Sequence, residues 1–145
     1  MCSCGRRGCL EAYAGRGSIE RTARRRVKRG EETILFEIMA EKKRDRLASG
    51  VIAAALERND RMAVRLIDDA VWALGVGLAS AQNVLDLEAI ILGGGLGDRL
   101  GQPFIERISQ AMKPHLFVPD NPPAMLATEL GDLSGAVGAA VKAGG

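Results

Sequence analysis

Cys2-Ser3-Cys4-Gly5-Arg6-Arg7-Gly8-Cys9 places three thiols within eight residues, with two glycines that let the backbone fold around a small ion. Thiolates are soft ligands, and Arg6 and Arg7 favour their deprotonated form, so tetrahedral zinc is the natural occupant of Cys2, Cys4 and Cys9. Three ligands leave such a site one short of closed. The alternative is a set of reduced, unligated cysteines near a terminus. His115, the only histidine, lies far along the chain among prolines and reads as a surface residue rather than a fourth ligand. The tight spacing fits a reducing compartment better than a disulfide framework, which spreads an even number of cysteines along a chain.

Other residues invite a chemical reading. Gly93-Gly94-Gly95 follows the apolar run Ala89-Ile90-Ile91-Leu92, and a nucleotide can approach such a turn closely because glycine permits positive φ and carries no Cβ. The run matches neither the phosphate-loop nor the dinucleotide fingerprint, and an ordinary loop fits it as well. Arg21-Thr22-Ala23-Arg24-Arg25-Arg26-Val27-Lys28-Arg29 has the charge density of a nucleic-acid contact, but no aromatic residue interleaves, so a solvated helix face is expected and nucleic acid is not. Trp72, the only tryptophan, follows Arg65, Asp68 and Asp69 by seven, four and three residues, which puts it on a charged helix face. Such a residue marks either a partner surface, here a homo-oligomer contact, or a place covered by another helix of the same chain.

The elements that must hold these residues follow from composition and pattern. The chain has 145 residues, 47% apolar and 26% charged, with a formal charge of +2. That is a single globular domain, not a disordered, collagen-like or disulfide-dense chain. The charge is unevenly placed: nine Lys or Arg against Glu11 and Glu20 in residues 1–30, then eleven basic against sixteen acidic residues. Ala70–Leu85 is uncharged but contains Gly75, Gly77, Ser80, Gln82 and Asn83. It therefore reads as a buried helix rather than a membrane span, and with no signal-peptide core at the N-terminus a cytoplasmic protein is expected.

Ser18 can cap a basic helix from Ile19 to about Arg29. Further helices are expected over about Glu32–Lys43 and Arg46–Glu57. From Arg61 the positions Ala63, Leu66, Ile67, Ala70, Leu74 and Leu78 recur at helical spacing to Leu85, after the cap-like pair Asn59-Asp60. Ala89–Leu92 reads as a buried parallel strand, Pro103–Met112 as a helix, Met125–Thr128 as a second strand, and Ser134–Ala143 as a final helix capped by Ser134. This order makes a helix-rich α/β chain.

Taken with their neighbours, the cysteines form Cys2-x-Cys4-Gly5-x-x-Gly8-Cys9-x-Glu11. This resembles the signature of the ROK family of bacterial sugar kinases and sugar-responsive repressors. Asn83-x-x-Asp86-Leu87-Glu88-x-Ile90-x-x-Gly93-Gly94-Gly95 is similar to a second family segment, with Leu87 where proline is usual, and Gly131-Asp132-Leu133-Ser134-Gly135-Ala136-Val137-Gly138 to its closing one.

The resemblance implies the C-terminal part of an actin-like ATPase (ribonuclease H-like) sugar-kinase fold. Residues 1–145 would be one domain, with a zinc and sugar loop at 1–15 and a nucleotide-side α/β part at 83–145. It gives Glu11 the role of accepting hydrogen bonds from sugar hydroxyls, where the residues alone suggest an exposed first-turn glutamate favouring the helix dipole. It makes Gly93, Gly94 and Gly95 an adenosine-contacting turn. Hexose and Mg-ATP are the implied ligands.

Family kinases are about twice this length, and their N-terminal half supplies an Asp-Gly-Gly phosphate loop, the sugar-binding Asn-Asp pair with the general base, and a zinc-completing histidine. None has a counterpart here. The expectation is a truncated or split kinase half, inactive alone, whose partner is a complementing N-terminal half or a second copy. The alternative is a non-enzymatic sugar-sensing or assembly module related to the family's repressors, although no helix-turn-helix occurs in this sequence.

Overall fold

The computed structural model describes residues 2–144. In chain order the elements are α1 (Glu11–Ala14), α2 (Arg16–Val27), α3 (Leu35–Glu41), α4 (Ser49–Glu57), α5 (Arg61–Leu85), β1 (Ala89–Leu92), α6 (Gly95–Met112), β2 (Ala124–Ala127) and α7 (Ser134–Gly144). Short 3-10 turns at Lys113–His115 and Gly131–Leu133 complete the order. Among the described residues no helix is long and apolar enough to cross a membrane.

The 25-residue α5 is the axis of the molecule. Its apolar positions recur every three or four residues, so Met62, Leu66, Ile67, Ala70 and Val71 form one buried stripe. Around it pack Ile19 and Ala23 of α2, Leu35 and Ile38 of α3, Val51 and Ile52 of α4, and Phe104 and Ile108 of α6. The crossing of α5 and α6 is close: a Cβ on Gly75 would fall 2.7 Å from the carbonyl carbon and the Cβ of Ala111. Only a glycine lets the two backbones approach so far. Asp86, left-handed at φ 48°, ends α5 and turns the chain into β1.

β1 and β2 pair in parallel, with Ala89 opposite Ala124 and Ile91 opposite Leu126. The expected buried strand is buried on one side only. Ile90 and Met125 pack inward, whereas Ile91 and Leu126 are 66% and 47% exposed. Other boundaries also moved. Helix α2 starts at Arg16 behind Gly15, and Ser18 lies inside it, buried and accepting a hydrogen bond from Arg21 at 2.7 Å instead of capping. Helices α3 and α4 are shorter than expected.

The helix expected from Pro103 begins at Gly95 and is broken at Gly101, whose φ of 62° and ψ of −155° no helix contains. Pro103 lies in the first turn of the second segment, where its missing N–H has no intrahelical partner to lose. The side chain of Ser134, expected to cap α7, lies outside the described groups. Trp72 is 58% exposed, so no helix among the described residues covers it.

Asp60 caps α5 as the sequence suggested, and it also ties in a distant segment. One carboxylate oxygen accepts from the Ala63 N–H at 2.7 Å and the Thr33 hydroxyl at 3.0 Å, the other from the Ile34 N–H at 2.9 Å. The cap is worth about 1 kcal/mol, and each N–H stranded in this buried place costs about 1–3 kcal/mol. Asp60→Ala is therefore expected to lower unfolding free energy by about 2–4 kcal/mol in urea titrations, and Asp60→Asn by less. An unchanged midpoint for Asp60→Ala would show that the tie contributes nothing.

Candidate functional site

Of the residues singled out in the sequence, the cysteines and Glu11 fall around α1 and the start of α2. The cysteine loop closes on itself: the Cys2 N–H donates to the Arg6 carbonyl at 2.9 Å and the Gly5 N–H to the Cys2 carbonyl at 3.0 Å. Gly5 and Gly8 take φ of +82° and +81°, left-handed values that side-chain-bearing residues avoid. The result gathers the three sulfurs within 4.8 Å of one another. Cys4 and Cys9 Sγ stand 3.6 Å apart. Sulfurs on a tetrahedral zinc with ~2.3 Å bonds are separated by ~3.8 Å, a spacing that the Cys4–Cys9 pair matches.

The thiols also divide their protons unevenly. Hydrogen bonding from the Cys4 backbone and thiol brings the Cys2 thiol down to about 7. The hydrogen bond to Cys4, then that to Cys2, pushes Cys9 up to about 11. Cys2 is buried, Cys9 half-buried and Cys4 exposed. His115 is on the surface, where its carbonyl accepts from the Asn83 amide at 2.8 Å. Among the described residues the one group of three or more side chains that could hold a metal consists of the cysteines.

Helix α1 hangs from this loop, with the Ala12 N–H bonded to the Cys9 carbonyl at 2.9 Å. Its first residue is Glu11, exposed and without a capping contact. A Cβ on Gly15 would fall 2.0 Å from Glu11 Oε1 and 2.7 Å from its carbonyl oxygen, so Gly15 makes room for that carboxylate. Glu11 lines a cleft of about 710 Å³ with Arg16, Glu20, Arg44, Arg46 and Leu47. Glu11, Glu20 and Asp45 stand against Arg16, Lys43, Arg44 and Arg46, a mixed lining that suits a neutral, hydroxyl-rich ligand that both donates and accepts hydrogen bonds.

The glycine turn stands at the other end of this arrangement. Gly94, at φ +85°, introduces α6. A Cβ on Gly93 would fall 2.9 Å from Thr128 Cγ2, and one on Gly95 3.5 Å from Ser49 Oγ and 3.6 Å from an Arg16 guanidinium nitrogen. Arg16 thus reaches Gly95 while lining the Glu11 cleft. Sequence reasoning missed Arg16 and Ser49, since nothing in their local pattern links them to residue 95. Asn83, which the sequence offered only as part of a family segment, donates to the His115 carbonyl and accepts from the Phe117 N–H at 2.9 Å, pinning the segment after α6.

Glu20 holds the far wall of the cleft. Burial works against its charge, but the Leu47 N–H at 3.0 Å and the Arg24 guanidinium at 2.7 Å outweigh it, so the carboxyl sits below its ordinary value of 4.5. An i,i+4 pair such as Glu20–Arg24 is worth about 0.3–0.5 kcal/mol. An N–H donated to a carboxylate is worth about 1.5–3 kcal/mol, so the tie to Leu47 dominates. A lowered native value means stability that is present above pH 4.5 and lost as pH falls through the native value. Glu20→Gln is expected to be less stable than the unmodified chain at pH 7, with the difference shrinking below pH 4.5 in denaturant titrations. A difference that stays constant with pH would show that the carboxylate charge is not what ties the wall.

The family model described as "ROK family" matches residues 1–144. A glucokinase of Halalkalibacterium halodurans is 31% identical over 140 residues, covering 94% of this chain and 41% of that protein. A ROK family glucokinase from Streptomyces griseus, solved in complex with glucose and AMPPNP, superposes with a TM-score of 0.72 at 28% identity, covering 96% of this chain and 45% of that one. A ROK family transcriptional regulator gives 0.68 at 24% identity, over 87% of this chain and 30% of the regulator. The chain thus spans less than half the length of each of these proteins.

Proposed function

The chain belongs to the ROK family and has the fold of the C-terminal part of its actin-like sugar kinases; from that premise we propose that it is the zinc-, sugar- and adenosine-contacting portion of an ATP-dependent hexose kinase. In this reading residues 1–145 act as one domain, with the zinc and sugar loop at 1–15 and the nucleotide side at 83–145. Glu11 accepts hydrogen bonds from hexose hydroxyls in the cleft. At the turn Gly93-Gly94-Gly95, the adenosine of Mg-ATP would approach on the side of Gly94, where a Cβ would meet nothing within 4 Å. The observation that carries the reading is the position of Arg16, which lines the cleft of Glu11 and stands beside Gly95, so one cation spans the places where sugar and nucleotide would meet.

Cys2, Cys4 and Cys9 would hold zinc, whose bonds would brace the loop from which α1 and Glu11 are suspended. The exposed Trp72 offers a homo-oligomer contact in the same reading, and the reduced thiols suit a cytoplasmic setting. The fold shared with a transcriptional regulator does not separate kinase from sugar sensor, but a cleft whose Arg16 also stands beside the glycine turn favours the kinase.

Two measurements test this. Purified protein is expected to retain about one zinc per chain after dialysis, and Cys4→Ser less than half of that, because removing one of three thiolates takes away a bond and its chelate contribution. Equal zinc in both would exclude the cysteines as the site. In a coupled assay these 145 residues alone are expected to give no hexose phosphorylation above background, because a hydroxyl nucleophile with no positioned base and an ATP phosphate with no cradle lose the main sources of rate. ATP-dependent turnover that disappears in Glu11→Gln would overturn the half-site reading and leave the kinase assignment standing.

A further inference from the structure

A second cleft lies on the opposite side of α2 from Glu11, and its chemistry is different. Arg16, Gly17 and Glu20 face the first cleft, while Ser18, Arg21, Thr22 and Arg25 line the second. At 100° per residue these sets occupy opposite halves of the helix. The second cleft, about 840 Å³, is also walled by Arg7 and Cys2 of the cysteine loop, Tyr13 of α1, Arg26 of α2, and Leu66 and Asp69 of α5.

Four arginines and one aspartate line it, an excess of three positive charges. The aspartate is engaged, since Asp69 pairs with Arg26 at 3.2 Å. Among the described residues Arg21 is bonded only to the neutral Ser18 hydroxyl. Arg7 and Arg25 have no acidic partner among the described residues, and Tyr13 beside them is 44% exposed.

We propose that this cleft binds a small phosphomonoester, its phosphate held by Arg7, Arg21 and Arg25 and its organic part lying against Tyr13. Guanidinium groups take phosphate oxygens in bidentate fashion, which a tetrahedral dianion satisfies better than a single carboxylate. Cleft volumes of about 300–1,000 Å³ suit small organic ligands, so the space exceeds what a bare ion fills. The recess is concave and has one aromatic wall, whereas a nucleic-acid strand needs a continuous groove with several stacking platforms. Binding here would act on the cysteine loop through Arg7 and on α5 through the Arg26–Asp69 pair, without touching Glu11.

Isothermal titration calorimetry of the full chain at fixed ionic strength, with phenyl phosphate and inorganic phosphate as probes, tests the proposal. Saturable binding at one site per chain is expected, weakened at least tenfold in Arg7→Ala/Arg25→Ala, whose fold is checked by circular dichroism, and by less than twofold in Arg58→Ala, a surface arginine outside the cleft. Arg25→Gln alone should weaken it at least threefold, which keeps the test decisive if the double variant does not fold. Phenyl phosphate binding more tightly than inorganic phosphate, with the advantage lost in Tyr13→Ala, supports an organic phosphomonoester. Equal affinity places the recognition in the phosphate dianion and overturns the role given to Tyr13. No saturable binding, equal weakening in Arg58→Ala, or binding of a single-stranded oligonucleotide but of neither small phosphate would overturn the proposal.

Discussion

At Gly75 the backbone of α5 lies so near α6 that no side-chain atom fits between them. That contact sets how closely the two longest helices pack. Helix α5 runs from the capping Asp60 to the left-handed Asp86, about 37 Å at ~1.5 Å per residue, and touches α1, α2, α4 and α6 along the way. With α5 and α6 locked together, the loop carrying the cysteines and the turn carrying Gly93–Gly95 are fixed on one rigid frame, although about 85 residues separate them in the chain. An alanine at 75 would have to push the two helices apart, and the overpacking would be felt at both ends of the cleft.

Polar residues do the remaining positioning. Asp60 draws the segment before α3 onto the start of α5, Glu20 draws Leu47 onto α2, and Asn83 draws the segment after α6 onto the end of α5. Each uses a side-chain oxygen to satisfy a backbone N–H that no helix or strand provides for, which is how loops are held where burial alone is too weak. Arg24 adds a contact of another kind, with its guanidinium 4.8 Å from the centre of the Phe36 ring. The basic helix α2 is thus a partition, not an extended charged surface: one side faces a cleft of mixed charge, the other a cleft in excess of cations.

The two-stranded sheet is the least self-sufficient part. Parallel strands usually have both faces covered, because their pairing is weaker and their residues apolar throughout. Here α5 and α6 cover one face, and Ile91 and Leu126 stand out on the other.

Much of this was legible in the sequence because it is local. The stripe of α5, the Asp60 cap, the strand at Ala89–Leu92 and the cysteine spacing each lie within one or two turns of chain, where periodicity and turn chemistry act. The expected start of α2 at Ser18 and of α6 at Pro103 failed because the same residues also suit a helix interior or a second segment, and only packing chose between them. Which face of β1 is buried, the exposure of Trp72, the meeting of Arg16 with Gly95 and the division of eight arginines and lysines between the two clefts all depend on contacts between residues far apart in sequence. No local pattern encodes such contacts, since they arise only when the helices pack and each side chain is assigned a neighbour.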